Sequence, residues 1–166
     1  MHFLSLLAAA GTAVLALAAP TKKEKRAGKL QFFGVNESGP EFGDGKFPGV
    51  YGVDYTWPTL STIDTFIAKG MNTFRVNIFM ERVIPNQLTG PLDKYYAGNL
   101  SQTVNYITGK GAYAMICPHN YGRYYGNVIT DTAGFQTFWK TLATPYKSNS
   151  KVIFDTVSCA HSTLRD

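Results

Sequence analysis

Cysteine is scarce in this chain: Cys117 and Cys159 are the two present in 166 residues. That excludes a small scaffold stapled by a disulfide framework. Charge is sparse too, at 16% of residues. No cluster of Lys and Arg interleaved with aromatics occurs beyond the first 26 residues, which argues against a nucleic acid or other polyanion as partner. Past residue 18 no apolar run approaches the roughly 20 residues that a bilayer-spanning helix needs, so no membrane span is expected. The first strand-like segment is followed by Gly34-Val35-Asn36-Glu37-Ser38, which lacks the glycine spacing that cradles a pyrophosphate.

What is present begins with an apolar leader. Met1 to Ala18 is short, rich in Ala, Leu and Val, and closes on Ala16-Leu17-Ala18, a small-x-small pattern suited to signal peptidase. Residues 19–26 follow as a charged run ending in Lys25-Arg26, read as a propeptide, so the mature chain is expected to start at Ala27. The alternative for Lys25-Arg26 is a solvated dibasic pair. Losing residues 1–26 removes four of sixteen basic residues and one of eleven acidic ones, taking the net charge from +5 to +2. A secreted, extracellular protein is expected, and the sequons Asn36-Glu37-Ser38 and Asn99-Leu100-Ser101 fit a glycosylated exterior where they are exposed.

Strand-like and helical stretches then alternate. Leu30–Val35 reads as a strand, with a Gly- and Pro-rich loop from Ser38 to Trp57 behind it. Thr59–Lys69 reads as a helix with Leu60, Ile63, Phe66 and Ile67 on one face and Gly70 as its stop. Asn72–Phe79 returns to strand. Asp93 can cap a helix carrying Tyr96, Leu100, Val104 and Ile107 at helical spacing. Ala112–Cys117 is a third strand closed by Pro118, Thr132 to about Tyr146 a third helix, and Lys151–Asp155 a fourth strand. This order argues for a parallel sheet of right-handed βαβ units. A doubly wound sheet and an eightfold barrel both fit, and the missing phosphate loop favours the barrel.

Barrel chemistry collects at the C-terminal ends of the strands. There stand Asn36-Glu37, Arg75 to Phe79, His119-Asn120 and Asp155. Alternation places Phe74, Val76 and Ile78 on one face of their strand and Arg75, Asn77 and Phe79 on the other. Arg75 then points inward and calls for an acidic partner, because an unpaired guanidinium there costs several kcal/mol; the alternative is an Arg that snorkels to the rim. His119 opens an aromatic loop, His119-Asn120-Tyr121-Gly122-Arg123-Tyr124-Tyr125-Gly126. Aromatic faces stack on sugar rings, and Trp57, flanked by Tyr55 and Pro58, is the best single platform by sequence, with Tyr121 and Tyr124 beside it.

Gly34-Val35-Asn36-Glu37-Ser38-Gly39-Pro40-Glu41-Phe42-Gly43, Asn72-Thr73-Phe74-Arg75-Val76 with Met80-Glu81-Arg82, and Pro118-His119-Asn120-Tyr121-Gly122-Arg123-Tyr124 together resemble the fungal endo-β-1,4-glucanases of glycoside hydrolase family 5. The resemblance runs from about Phe32 to Thr156. It implies an α/β fold of the (β/α)8 TIM-barrel type, a cellulose-type β-1,4-glucan as partner, a retaining mechanism, and no cofactor or metal. It further implies that Arg75 holds the nucleophile carboxylate and that His119 and Asn120 line the sugar site. With the full-length form expected to be a monomer, Trp57, Tyr121 and Tyr124 are the expected sugar platforms, and Glu37 is expected to orient the long loop or a sugar hydroxyl.

A retaining glycosidase needs two carboxyl groups roughly 5 Å apart. The family pattern continues after Phe154-Asp155-Thr156 with the acid/base Glu, whereas here Val157-Ser158-Cys159-Ala160-His161 follows. The 140 residues after Arg26 fall short of the roughly 250 of a complete barrel. About four of eight βα units are therefore expected in residues 27–156, without either catalytic Glu. Residues 157–166 are expected to be an unrelated tail. Val157-Ser158 can be encoded by a sequence that begins an intron, and Ser158, His161 and Asp166 are too crowded to form a preorganised triad. A secreted, non-catalytic carbohydrate-binding module is the alternative.

Overall fold

The computed structural model describes residues 30–156. The expected signal peptide, the propeptide, the first residues of the mature chain and the tail at 157–166 lie outside them. In chain order the elements are β1 (Gly34–Glu37), α1 (Leu60–Ala68), β2 (Thr73–Ile78), the one-turn α2 (Met80–Val83), α3 (Lys94–Gly109), β3 (Tyr113–Pro118), β4 (Arg123–Tyr124), β5 (Asn127–Val128), α4 (Thr132–Ala143), a 3₁₀ turn (Thr144–Tyr146) and β6 (Val152–Phe154). Strands β1, β2, β3 and β6 form one sheet in that order, with every pairing parallel. β4 and β5 form a small antiparallel hairpin.

Local chemistry sets the helix ends. The Asp93 carboxylate accepts from the Tyr96 amide at 2.6 Å, and Asp131 accepts from the Gly134 amide at 2.8 Å, so each satisfies a donor that the first helical turn leaves orphaned. Gly70, with φ +87°, ends α1 in a conformation that costs other residues more.

The hydrophobic layer lies between sheet and helices. Phe74, Val76 and Ile78 of β2 and Ala114 and Ile116 of β3 meet Ile63, Leu100, Val104, Ile107, Phe138 and Leu142, all at 0–1% exposure. Burying each large apolar side chain contributes about 1.5–3 kcal/mol over leaving it in water. The opposite face of the sheet is polar and half open. Register sets Asn36, Arg75, Met115 and Ile153 side by side across the four strands, the alternation that the sequence indicated for β2.

Two differences from the sequence reading matter. β1 is Gly34–Glu37 rather than Leu30–Val35, because the apolar Phe32-Phe33 pair stays half exposed and is tied by the Asn72 side chain to Phe33 N and Gln31 O. Pairing begins at Gly34, where the chain passes so close to the Thr73 carbonyl that a Cβ would collide with it. α2 and the β4–β5 hairpin were not foreseen, being too short to show a period. Phe138 is fully buried, and Phe135 and Trp139 pack edge-on, with Trp139 against Phe154 of β6.

β1 and β6 each keep one unpaired edge in the described sheet, and Met115 and Ile153 are half exposed on its polar face. Such edges and faces template association. A polypeptide of this sequence produced alone is expected to bind a hydrophobic dye and to lack a sharp thermal transition. A soluble monomer with a cooperative melt and no dye binding would contradict this.

Candidate active site at the mouth of the sheet

The inner face converges on Arg75. Its guanidinium donates to Asp155 at 3.1 Å from just past β6, to Asn36 of β1 at 3.3 Å, to Asn77 of β2 at 2.8 Å, and to the Cys117 thiol of β3. Partners on β1, β2 and β3 and one just past β6 thus meet one cation. The acidic partner that the sequence called for is Asp155, and the pair is less than a third exposed. From Arg75 the chain of bonds runs upward: the Asn77 amide donates to Glu41 Oε1 at 3.2 Å, and Glu41 Oε2 accepts from Gly39 N at 2.8 Å.

The mouth itself is organised by α2. Phe79 and Met80 at its start and Val83 and Ile84 at its end are buried, and so are the two charged residues between, Glu81 and Arg82, each 2% exposed. Arg82 donates to the carbonyls of Pro40, Gly43, Lys46 and Pro48, all in the loop after β1, and lies 4.4 Å from the centre of the Tyr55 ring. Glu81 accepts from the Asn120 amide and from Tyr125 N, both at 2.6 Å, in the loop after β3. Asn120 in turn accepts from Met80 N at 2.9 Å. Two adjacent opposite charges therefore hold the two walls of one cleft. The sequence signal for them was there in Met80-Glu81-Arg82, a charged pair flanked by apolar residues directly after a strand.

The cleft has a volume of about 450 Å³ and is lined by Glu41, Phe47, Glu81, His119, Asn120 and Tyr121 among others. His119 N donates to the Ile78 carbonyl at 2.8 Å, and the ring nitrogen Nε2 lies 3.0 Å from the Tyr121 hydroxyl. Tyr121 and Tyr125 adopt left-handed φ values of 52° and 48°, a conformation that costs a non-glycine residue of order 1 kcal/mol and persists where surroundings enforce it. Enforcement comes from Glu81 on Tyr125 N and from the Arg123 guanidinium on the Gly126 carbonyl. The result is an exposed Tyr121 ring over the cleft, 4.8 Å from the imidazole.

Of the residues the sequence singled out, His119, Asn120 and Tyr121 line the cleft, while Arg75 lies deeper on the inner face, beside a separate depression shared with Asn36 and Met115. Trp57, Tyr124 and Glu37 stand apart from the cleft. Trp57 packs at 5.0 Å on the buried Tyr96 ring, with its indole nitrogen buried and unpartnered among the described residues. Tyr124 donates to the Ile84 carbonyl at 2.6 Å, and burial pushes its phenol well above the ordinary range. Glu37 pairs in register with Val76 and so faces the helix layer. It is 7% exposed, with Oε1 unpartnered among the described residues, and burial raises its carboxyl above the usual 4.5. Among the described residues no group of three or more His, Cys, Asp or Glu can hold a metal ion.

A sheet of parallel βα units with a polar cleft at its C-terminal mouth defines an α/β enzyme-like domain. Residues 24–157 match the family model for cellulase, glycosyl hydrolase family 5, and the chain belongs to that family. It is 56% identical over 129 residues to Endoglucanase gh5-1 of Neurospora crassa, covering 78% of this chain and 33% of the relative. To Endo-beta-1,4-glucanase A of Emericella nidulans it is 51% identical over 151 residues, covering 91% and 45%. The crystal structure of the endo-beta-1,4-glucanase Xac0029 from Xanthomonas axonopodis pv. citri superposes with a TM-score of 0.72 at 35% identity, over 76% of this chain and 41% of that one. The chain thus spans a third to a half of these relatives, and its three βα units and fourth strand in the described residues are the N-terminal portion of a (β/α)8 barrel, open there.

Two outcomes are expected in a chimera that continues residues 30–156 with the C-terminal half of the Emericella nidulans relative. Arg82→Ala should lower stability by about 3 kcal/mol or more, since four charge-assisted bonds are lost, and should speed proteolysis between residues 38 and 58; an unchanged cleavage rate would contradict the role of Arg82. Glu37→Gln should stabilise, in a pH-dependent way. A carboxyl raised by burial binds its proton more tightly folded than unfolded, so the parent loses stability as pH rises above the usual 4.5. The gain from Gln should appear above that pH and fade below it in denaturant titrations.

Proposed function

We propose that these residues build the supporting half of a secreted endo-β-1,4-glucanase, which hydrolyses β-1,4-glucan by a retaining mechanism. What carries the reading is His119-Asn120 at the end of β3, held by Glu81 and Met80 so that imidazole and Tyr121 face a 450 Å³ cleft. Tyr121 offers a stacking face to a glucosyl ring, and His119 and Asn120 line its hydroxyl groups. Arg75 holds the nucleophile carboxylate in the complete barrel and pairs with Asp155 from beside it. Trp57, Tyr124 and Glu37 then act through the loops rather than on the sugar. The relatives' names as endo-β-1,4-glucanases support the substrate class, and the apolar leader supports secretion. The protein works as a monomer, without nucleic acid, membrane or cofactor.

The acid/base and the nucleophile come from outside residues 30–156. Glu41 is committed to Gly39 and Asn77, Glu81 to Asn120 and Tyr125, and Asp155 to Arg75, which leaves Asp44 on the cleft wall, one carboxylate where a retaining mechanism needs two. A polypeptide of this sequence therefore releases no reducing sugar. In the chimera, Arg75→Ala and His119→Ala should each lower turnover of a soluble β-1,4-glucan by ~10² or more, as when a transition-state hydrogen bond is lost. Near-parental activity in either variant removes that residue from the site. The second reading, a non-catalytic carbohydrate-binding module, draws on the same committed carboxylates and the exposed Tyr121. It predicts that the 166-residue chain binds cello-oligosaccharides and that the chimera stays inactive.

A further inference from the structure

The two Asn-x-Ser sequons occupy unlike places, and the difference bears on modification; the inference rests on the secretion reading above. Asn36 is in the middle of β1, level with Arg75 on the inner face, where its side-chain oxygen accepts from that guanidinium. A glycan there would cover the site where Asn77, Cys117 and Asp155 converge. Asn99 is on α3, whose Tyr96, Leu100, Thr103, Val104 and Ile107 face the core. Asn99 itself stands partly exposed on the outer flank.

Around Asn99 the surface is hollowed. A depression of about 360 Å³ is lined by Lys94, Tyr95, Gly98 and Asn99, and nothing lies within 4 Å of where a side chain on Gly98 would begin. Tyr95, one turn before Asn99, is 59% exposed and is braced edge-on by Tyr51 at 6.3 Å. Residues four apart share a helix face, so the ring stands beside the amide as a platform for the apolar face of a pyranose. The amide nitrogen donates one bond, to the Tyr95 carbonyl at 3.0 Å, and its second hydrogen remains for substitution.

We propose that Asn99 is an N-glycan acceptor and that folded molecules carry no glycan at Asn36, the first sugar at Asn99 resting in the depression against Tyr95. The co-reactant is a lipid-pyrophosphate-linked oligosaccharide of the secretory pathway. The Asn99 nitrogen attacks the anomeric carbon, an N-glycosidic bond forms, the bond from that carbon to the pyrophosphate oxygen breaks, the amide proton passes to a base, and the lipid pyrophosphate leaves. No electrons are exchanged with an oxidant or reductant.

The test is to express the chimera in a fungal host, once behind residues 1–18 of this chain and once behind a leader of established function, and to map sites by releasing glycans in heavy-oxygen water and sequencing tryptic peptides. Behind the established leader, Asn99 should be converted to labelled Asp. Asn99→Gln and Ser101→Ala, the second of which keeps the asparagine, should each abolish the glycan mass shift, and Asn36→Gln should leave it. An unmodified Asn99 in a chain whose leader has been removed overturns the proposal, as does comparable occupancy of Asn36 in the soluble fraction. A glycan at Asn99 behind the established leader, with none behind the native residues 1–18, supports the acceptor site while sinking the secretion reading.

Discussion

The structure turns on a buried charge that has no counter-ion. Arg82 sits at 2% exposure, in no ion pair among the described residues, and taking a guanidinium out of water costs several kcal/mol unless its donors are met. They are met by the four loop carbonyls, and Tyr55, Phe47 and Phe79 surround the cation within 4.4–5.6 Å. The 38–58 loop has almost no secondary structure of its own, so its path is dictated by the need to present those carbonyls. Its neighbour Glu81 does the converse, presenting an anion to donors from the loop after β3. One helical turn, placed by the end of β2, therefore sets both walls of the cleft.

This arrangement separates framework from chemistry. The inner face carries a hydrogen-bonded path from Asp155 through Arg75 and Asn77 to Glu41, which fixes the segment after β6, strand β2 and the loop after β1 relative to one another. Positioning of this kind is what a retaining glycosidase needs before its two carboxylates act, because effective catalysis depends on groups held in place rather than found on demand. His119 and Tyr121 remain the accessible members, and they lie where the framework leaves room.

Periodicity made much of the fold legible. Leu60, Ile63, Phe66 and Ile67, and then Tyr96, Leu100, Val104 and Ile107, marked the inward faces of α1 and α3, and alternation in β2 separated Phe74, Val76 and Ile78 from Arg75 and Asn77. The need of Arg75 for an acid was legible too, from the cost of burying a cation. Harder to see were features set by long-range pairing. Glu37 looked like a mouth residue because β1 seemed to end at Val35; the strand runs on to Glu37, and alternation with the inward Asn36 turns Glu37 toward the helices. Trp57 looked like a platform because it lies in a long loop, yet that loop is pulled down by Arg82 until the indole rests on Tyr96. The roles of Glu81 and Arg82 depend on partners about 40 residues away in both directions, which no local pattern encodes.

The most direct test of the account is a crystal structure of the completed barrel, with its acid/base carboxylate replaced by an amide, soaked in cellopentaose. A glucosyl ring is expected in the cleft within hydrogen-bond distance of His119 and Asn120, with Tyr121 against its face and Arg75 bound to a carboxylate from the second half of the barrel. Sugar bound elsewhere, with His119 and Asn120 untouched and Arg75 still holding Asp155 alone, would contradict it.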